Sequence, residues 1–222
     1  MKARYVSLVL LALAFGWIEG SVVVYLRQVY YQQAGPDAPM FPVVFLSDVF
    51  TRVEVVREAC TLVVLAAASW LADPRWAGRI GSFLLLFGIW DLTYYGVLKL
   101  VLGWPPSLAT WDILFLIPLP WIAPVWAPAT VAAIFVGAGS YLFWTANRVR
   151  VYRLRDAAVL FASACTIVAA FLADWRIAAG QQVPPRFHLW LFWAGVVAGT
   201  IWFVRVERGV AGSTAQTPHL IR

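Results

Sequence analysis

The sequence has few charged side chains and only two cysteines and two histidines. Charged residues make up 13% of the 222 positions and apolar residues 62%, whereas soluble domains have about 25% and about 45 to 50%. A soluble chain of this length buries only about 70% of its surface, so much of the apolar excess would face water. The composition therefore excludes an ordinary soluble domain and predicts a multi-pass membrane protein.

The scarcity of histidine and cysteine excludes several kinds of redox protein. A bis-histidine haem, a copper centre or a histidine-rich di-iron site needs more imidazoles than His188 and His219 supply. Cys60 and Cys165 lie alone in apolar stretches, with no Cys-x-x-Cys spacing, and we interpret them as small core residues. No phosphate-binding glycine loop or zinc-protease motif occurs. We expect no cofactor, and the sequence leaves a metal ion undetermined.

Six apolar stretches are at or near the length that a membrane requires, which is about 20 residues for about 30 Å of hydrocarbon. We therefore predict an all-α bundle of six transmembrane helices, with a single domain over residues 1–210 and a short polar tail over 211–222. The first stretch continues well past a possible signal-peptide cleavage site near Ala12, so we expect it to be a true transmembrane helix. The predicted stretches are Tyr5 to Leu26, Val53 to Leu71, Ile80 to Leu102, Pro124 to Trp144, Ala157 to Ala173 and Phe187 to Val204.

The basic residues are distributed unevenly between the two sides of the predicted bundle. Eleven of the 17 lysines and arginines fall at the termini or in the loops on the same side as the termini. Because basic loops resist translocation, both termini are predicted to be cytoplasmic. The net charge of +6 thus reflects topology, and we expect no nucleic acid as a partner. We expect the protein in the plasma (inner) membrane of a prokaryote, with the lipid bilayer as its surroundings.

Aspartate, glutamate, lysine and arginine occur inside the first three predicted helices and are absent from the last three. A charge at a helix centre costs about 2.5 to 3.5 kcal/mol on insertion, so such residues generally face the protein interior or a wet cavity. By helix rise, Glu19 lies about 10 Å and Glu58 about 8 Å below the outer surface, nearly level with each other. Asp91, the deepest at about 16 Å, shares a helix face with Tyr95 and Lys99 at spacings of four. We expect these helices to present one polar cluster that opens outward.

The loop over residues 103–123 is apolar but interrupted by proline. Six of the 13 prolines fall between Pro105 and Pro128, and the apolar run Ile113 to Leu119 is too short to span a membrane. One interpretation is an interfacial or re-entrant segment over the outer mouth of the cluster, with Asp112 joining the cluster from above. The alternative is an aromatic belt at headgroup level. Its members would be Trp104, Trp111, Trp121 and Trp126.

The predicted cluster has an unbalanced charge. Its helical members would carry −2 if all were ionised, so protonation of Asp91 or Glu19, a bound cation or a basic residue of a partner chain must compensate. The alternative is a structural network in which Arg57 binds Glu54 and Glu19 while Lys99 binds Glu58. The predicted binding residues are Glu19, Glu54, Arg57, Glu58, Asp91, Tyr94, Tyr95, Lys99 and Asp112.

Two pairs of glycines suggest where helices approach each other closely. Gly16 and Gly20 in the first predicted helix, and Gly195 and Gly199 in the sixth, are each spaced by four. Small residues at this spacing allow another backbone to come near.

Three functional hypotheses follow from the cluster. The first is translocation of a proton, a cation or a small cationic solute, with Asp91 as a gate near the membrane midplane. The second is a non-catalytic membrane subunit of a larger complex or a homo-oligomer, in which Glu19 and Asp91 meet basic residues of partner helices. The third is a membrane enzyme acting on a lipid-linked substrate, with Arg57 and Lys99 holding a phosphate and Glu58 or Asp112 as general base. Sequence alone does not separate the first two, and non-enzymatic roles are favoured.

Overall fold

The computed structural model describes residues 1–34, 48–150, 152–179 and 186–215. Helix accounts for 78% of the structure, which confirms the all-helical class. Within the described residues, six of the helices are long and apolar enough to cross a membrane, and one further helix has only five residues. The elements in chain order are α1 (Lys2–Ala34), α2 (Asp48–Ala72), α3 (Trp76–Leu102), β1 (Trp111–Phe115), β2 (Trp121–Pro124), α4 (Trp126–Trp144), α5 (Leu154–Leu172), α6 (Trp175–Ala179) and α7 (Leu189–Ala215).

The helix bounds differ from the sequence-based ones mainly at the ends. The helix α1 continues to Ala34, two turns beyond the predicted end at Leu26. The helix α7 continues to Ala215, and the rest of the predicted tail, residues 216–222 with His219, lies outside the described residues. The cytoplasmic placement of the termini stays a prediction.

The chain divides into two compact units. The first comprises Met1–Ala146 and Trp175–Pro184, and the second comprises Asn147–Asp174 and Pro185–Arg222. The single domain expected over residues 1–210 stays a prediction.

In the first unit, α3 packs closely against both α1 and α4. A Cβ atom built on Gly16 would lie 2.6 Å from the Cβ of Thr93, and one on Gly20 would lie 2.7 Å from Val97. On the other side, a Cβ atom on Gly88 would lie 2.5 Å from the carbonyl oxygen of Ala132. The close approach predicted at Gly16 and Gly20 is thus confirmed. Side chains larger than hydrogen at these positions would push the helices apart, and packing of this kind is what holds helices together in lipid.

A cluster of buried apolar residues joins the same helices. In lipid, burial of apolar surface gives little driving force, so the fit between side chains matters more than their hydrophobicity. Phe143, Leu65, Leu85 and Leu86 are almost fully buried within it. The buried members are Leu8, Ala12, Leu65, Leu85, Leu86, Trp90 and Phe143.

The proline-rich loop between α3 and α4 contains an antiparallel β-hairpin. Trp111 pairs with Pro124 and Asp112 with Ala123, and residues 116–120 form the connection. Strands were not predicted here. Proline lacks a backbone N–H and fixes φ, so the loop cannot continue a helix, whereas its β-branched and aromatic residues fit a pleated ribbon. Within β1, Asp112 is buried, whereas the other four residues of the strand are partly exposed.

The turn between α2 and α3 is organised by Asp73. Its carboxylate accepts hydrogen bonds from the backbone N–H of Arg75 at 2.9 Å and from Nε of Arg75 at 2.8 Å. Arg4 of α1 also contacts it, at 3.4 Å. Hydrogen bonds from Arg75 hold the pKa of Asp73 below its usual value. Through these contacts the turn joins α1, α2 and α3 near the beginning of α1.

In the second unit, α5 packs against α7 through the second pair of glycines. A Cβ atom on Gly195 would lie 2.7 Å from Cγ1 of Ile167, and one on Gly199 would lie 3.2 Å from the Cβ of Ser163. The prediction of close approach at this pair is confirmed.

The two cysteines do not lie in the core. Cys60 on α2 and Cys165 on α5 are both exposed on the surface of their helices, so their interpretation as core residues is wrong. A cysteine behaves as a small apolar side chain. The apolar outer face of a membrane helix therefore accommodates it as well as a core does.

Candidate functional site

The first unit contains a cavity of about 190 Å³ lined by α1, α2, α3 and the β-hairpin. Of the nine predicted binding residues, six line it and three do not. The polar and charged lining residues are Glu19, Arg27, Thr51, Glu54, Arg57, Glu58, Thr61, Tyr94 and Asp112. The predicted residues that do not line it are Asp91, Tyr95 and Lys99.

Arg57 is bound by two carboxylates. Its Nη1 donates to Glu19, and its Nη2 and Nε donate to Glu54, with Nε 2.9 Å from Oε2. Glu54 lies three residues before Arg57 on α2, which places both side chains on one face of the helix. A guanidinium bound in two-pronged fashion by a carboxylate is held firmly in orientation. This part of the cluster agrees with the structural network considered from the sequence.

Glu58 has a different environment. Its side chain lies one turn after Glu54, and the residue is 8% exposed. One carboxylate oxygen accepts a hydrogen bond of 2.8 Å from the backbone N–H of Leu116 in the hairpin connection. In the described part of the chain, no lysine, arginine or histidine nitrogen lies within 4.0 Å of Glu58. Glu58 is therefore a buried carboxylate beside the cavity to which the described residues offer no direct cationic partner.

Asp112 lies on β1 and is one of the hairpin residues that line the cavity. The Tyr95 hydroxyl donates a hydrogen bond of 3.1 Å to its Oδ2, and Nη2 of Arg27 lies 3.9 Å from its Oδ1. Burial raises the pKa of Asp112 to about 6, although Arg27 and the hydrogen bond from Tyr95 act in the opposite direction. The structure thus places Tyr95 outside the cavity lining but in contact with a residue that lines it.

Arg27 was not among the predicted binding residues. The sequence placed it in an outer loop because the first apolar stretch ends at Leu26, but α1 continues and carries it into the cavity wall. Its guanidinium stacks on Trp104, with Cζ 3.8 Å from the ring centroid. One signal could have revealed it. Glu19, Val23 and Arg27 are spaced by four and so follow one face of a helix.

Asp91 lies on α3 one turn before Tyr95 and is half-buried. It is close enough to Asp112 for the two carboxylates to repel each other. No hydrogen bond or ion pair joins Asp91 to another side chain in the ranges that the structure describes.

The structural alternative predicted that Lys99 binds Glu58. In the described residues Lys99 has other partners. Its Nζ donates to the carbonyl oxygens of Gly103 at 3.2 Å and Pro105 at 2.8 Å. Gly103 ends α3 in the left-handed conformation, with φ of 67°, and turns these carbonyls toward the lysine. A cation at a helix C-terminus compensates the negative end of the helix dipole, which explains why Lys99 stays near the helix end.

The acidic residues do not converge in the manner of a metal site. Among the described residues, no three side chains of the types His, Cys, Asp and Glu lie together as a metal ion would require. No protein-family model, curated protein or solved structure matches the chain. What the cavity can bind must therefore be inferred from its lining residues alone. The lining has more carboxylates than guanidiniums, and the volume is that of a small molecule.

Proposed function

We propose that the chain translocates a proton, a cation or a small cationic solute across a membrane and binds it in the cavity of the first unit. The observation that carries this proposal is the state of Glu58. It is a buried carboxylate on a membrane-spanning helix, it lies beside a cavity, and among the described residues no basic nitrogen is within 4.0 Å. An uncompensated charge at such a place is expensive, so a proton or a bound cation completes the site.

The charges around the cavity support the same proposal. Its lining includes four carboxylates and two guanidiniums. Arg57 is already bound by Glu19 and Glu54. Among the lining residues, the two other carboxylates, Glu58 and Asp112, therefore share one guanidinium, that of Arg27. In the orientation that the positive-inside rule predicts, this acidic cavity lies in the outer half of the membrane and is suited to receive a cation from outside.

The test is flux through the purified protein in liposomes. Proton flux is followed with an enclosed pH-sensitive dye under a potassium diffusion potential, and cationic solute flux with radiolabelled methylammonium. For the transported probe, Glu58→Gln is expected to lower the flux at least about tenfold, because the neutral amide neither takes up a proton nor attracts a cation as the carboxylate does. Asp174→Asn is the matched control, since this carboxylate lies in the second unit and pairs with His188 at 3.3 Å. Equal flux in wild type and Glu58→Gln, or no flux above empty liposomes, would contradict the proposal.

The proposed path of the translocated cation continues from Glu58 to Asp91. Asp91 does not line the cavity, and it interacts electrostatically with Asp112, which does. We expect Asp91→Asn to lower flux while leaving binding of methylammonium at the cavity in place. A variant that loses binding and flux together would place Asp91 in the binding site itself.

A second candidate, a subunit of a larger membrane complex, is favoured by one observation. Within the described ranges the half-buried Asp91 has no hydrogen-bonding or ionic partner, and a basic residue of a neighbouring helix would supply one. Native mass spectrometry of the protein extracted gently from its membrane tests this candidate. A stoichiometric partner chain that is lost in Asp91→Asn would favour it, and a single chain that supports flux would exclude it.

A further inference from the structure

Arg27 differs from Arg57, the other guanidinium of the cavity lining. The residue is only 9% exposed, and its Nη1 is buried without a hydrogen-bond acceptor in the part of the chain that the structure describes. Its acidic neighbour among the described residues is Asp112, at 3.9 Å, which is too long for a hydrogen bond. Leaving a buried charged donor without an acceptor is costly, so the site calls for an additional oxygen acceptor.

The position of this guanidinium is fixed by packing rather than by hydrogen bonds. Trp104 stacks against it, and Trp104 itself is buried in a cluster with Tyr95, Leu98 and Val125. A planar guanidinium held on an aromatic ring keeps its edge free to bind a carboxylate through two parallel hydrogen bonds. The chain thus holds in place a guanidinium whose Nη1 has no hydrogen-bond acceptor among the described residues.

Glu58 presents the complementary situation in the same cavity. Its carboxylate accepts one backbone hydrogen bond and is otherwise without a cationic partner within 4.0 Å in the described residues. The cavity therefore contains one incompletely satisfied group of each sign. Arg57, Glu19 and Glu54 do not change this, because they satisfy one another.

We infer that the solute of this cavity is a small zwitterion, whose cationic group binds at Glu58 and whose anionic group binds at Arg27. The inference rests on the proposed function and narrows it from a cationic solute to one that carries both charges. A solute with an ammonium group alone would satisfy Glu58 and leave Arg27 without an acceptor. A zwitterion satisfies both groups.

The size of the cavity is compatible with this class. A volume of about 190 Å³ holds about 13 to 19 water molecules when each takes about 10 to 15 Å³ of such space. Drug-sized ligands occupy pockets of about 300 to 1,000 Å³. The cavity therefore suits a molecule of amino-acid size.

The test compares matched probes on the full-length protein in lipid nanodiscs. Isothermal calorimetry measures the affinity for three series of probes: the ω-amino acids from glycine to 6-aminohexanoate, the n-alkylammonium ions and the alkanoates. Members of the three series are compared at the same chain length. At one chain length, the amino acid is expected to bind at least about tenfold more tightly than its alkylammonium counterpart, because a site built for two polar groups penalises a ligand that lacks one. Since this comparison uses the wild-type protein, it does not depend on any variant folding.

Three variants then assign the groups. Arg27→Gln is expected to remove the advantage of the amino acid and to leave alkylammonium affinity nearly unchanged, while Arg27→Lys keeps part of the advantage. Glu58→Gln is expected to weaken both the amino acid and the alkylammonium ion. Size-exclusion profiles and melting temperatures show whether each variant is folded.

The outcomes separate this inference from the proposed function. If alkylammonium ions bind as tightly as amino acids, or if Arg27→Gln leaves their ratio unchanged, the zwitterion inference is wrong while cation binding stands. If neither series binds and Glu58→Gln leaves flux unchanged, the inference and the proposed function both fail.

Discussion

Two buried arginines, one in each unit, meet their acidic partners in opposite ways. In the second unit, Arg150 and Glu207 each have side chains only 4% exposed, and Nε of Arg150 lies 3.0 Å from one carboxylate oxygen and 3.2 Å from the other. The hydroxyl of Tyr152 donates a further hydrogen bond of 2.6 Å to Glu207. In the first unit, the acidic partner that the described residues offer Arg27 is Asp112, at 3.9 Å.

This difference indicates which charges serve the fold and which serve a ligand. A buried ion pair contributes to stability only when additional hydrogen bonds satisfy its remaining atoms. The pair of Arg150 and Glu207 meets this condition. The pair of Arg27 and Asp112 does not, and it stands beside a cavity. Incomplete pairing next to an open space is therefore the property that distinguishes the candidate site.

The largest expected effect comes from breaking the complete pair. Glu207→Ala leaves the buried guanidinium of Arg150 without its carboxylate and should lower the free energy of unfolding by about 3 to 5 kcal/mol. Unfolding in a mild detergent titrated with SDS measures this change. Arg208→Gln is the control, because Arg208 is exposed one residue further along α7. A loss below about 1 kcal/mol in Glu207→Ala would show that the pair is not structural.

The next effect concerns pH and the incomplete pair. Burial raises the pKa of Asp112 to about 6 from 3.8, so the folded state holds its proton more tightly than the unfolded state does. Stability contributed by this group is therefore present at low pH and is lost as pH rises from about 4 to 6, by up to about 3 kcal/mol. Among the described residues, the charged and titratable groups that interact with it are Arg27 of α1 and Asp91, Tyr94 and Tyr95 of α3.

The difference between wild type and Asp112→Asn isolates this contribution. Unfolding free energies of both proteins are measured over the same pH range. The wild type should become less stable relative to the variant as pH rises, and a constant difference would contradict the raised pKa.

The membrane helices could be predicted from the sequence because their signal is additive over about 20 residues. Composition and length alone place six helices, and the prediction fails mainly where helices extend beyond the apolar stretch, as α1 does beyond Leu26. The hairpin could not be predicted in the same way. Residues 111–115 form a strand because residues 121–124 pair with them, and that pairing is a tertiary contact.

The candidate site could be predicted in part for a similar reason. Glu54, Arg57 and Glu58 are close in sequence, so helical spacing reveals their common face. The partners of Lys99 depend on how the chain turns at Gly103, and the place of Arg27 depends on where α1 ends. Neither is encoded in local spacing. The two exposed cysteines show a further limit, since an apolar stretch does not tell which face meets lipid.

An intermediate effect is expected from removing the central cation of the satisfied part of the cluster. Arg57→Gln leaves Glu19 and Glu54 without their common partner and should lower the free energy of unfolding by about 2 kcal/mol. This is less than for Glu207→Ala because the Arg57 side chain is 21% exposed and partly solvated. The triple variant that also carries Glu19→Gln and Glu54→Gln should recover most of the loss. SDS unfolding of the wild type, Arg57→Gln and the triple variant measures the loss and its recovery, and no recovery would argue against mutual satisfaction of these residues.

The smallest effect is expected at Lys99, which the sequence assigned to the cluster and the structure places at a helix end. Lys99→Gln removes an exposed cation from the C-terminus of α3 and should cost less than about 1 kcal/mol of stability. It should leave the affinity for alkylammonium ions unchanged, because Lys99 does not line the cavity. Lys99→Arg, which keeps the charge at the helix end, is the matched variant. Calorimetry and SDS unfolding of both variants give the two quantities. A change in ligand affinity larger than about threefold would mean that the electrostatic reach of the site extends beyond the cavity lining.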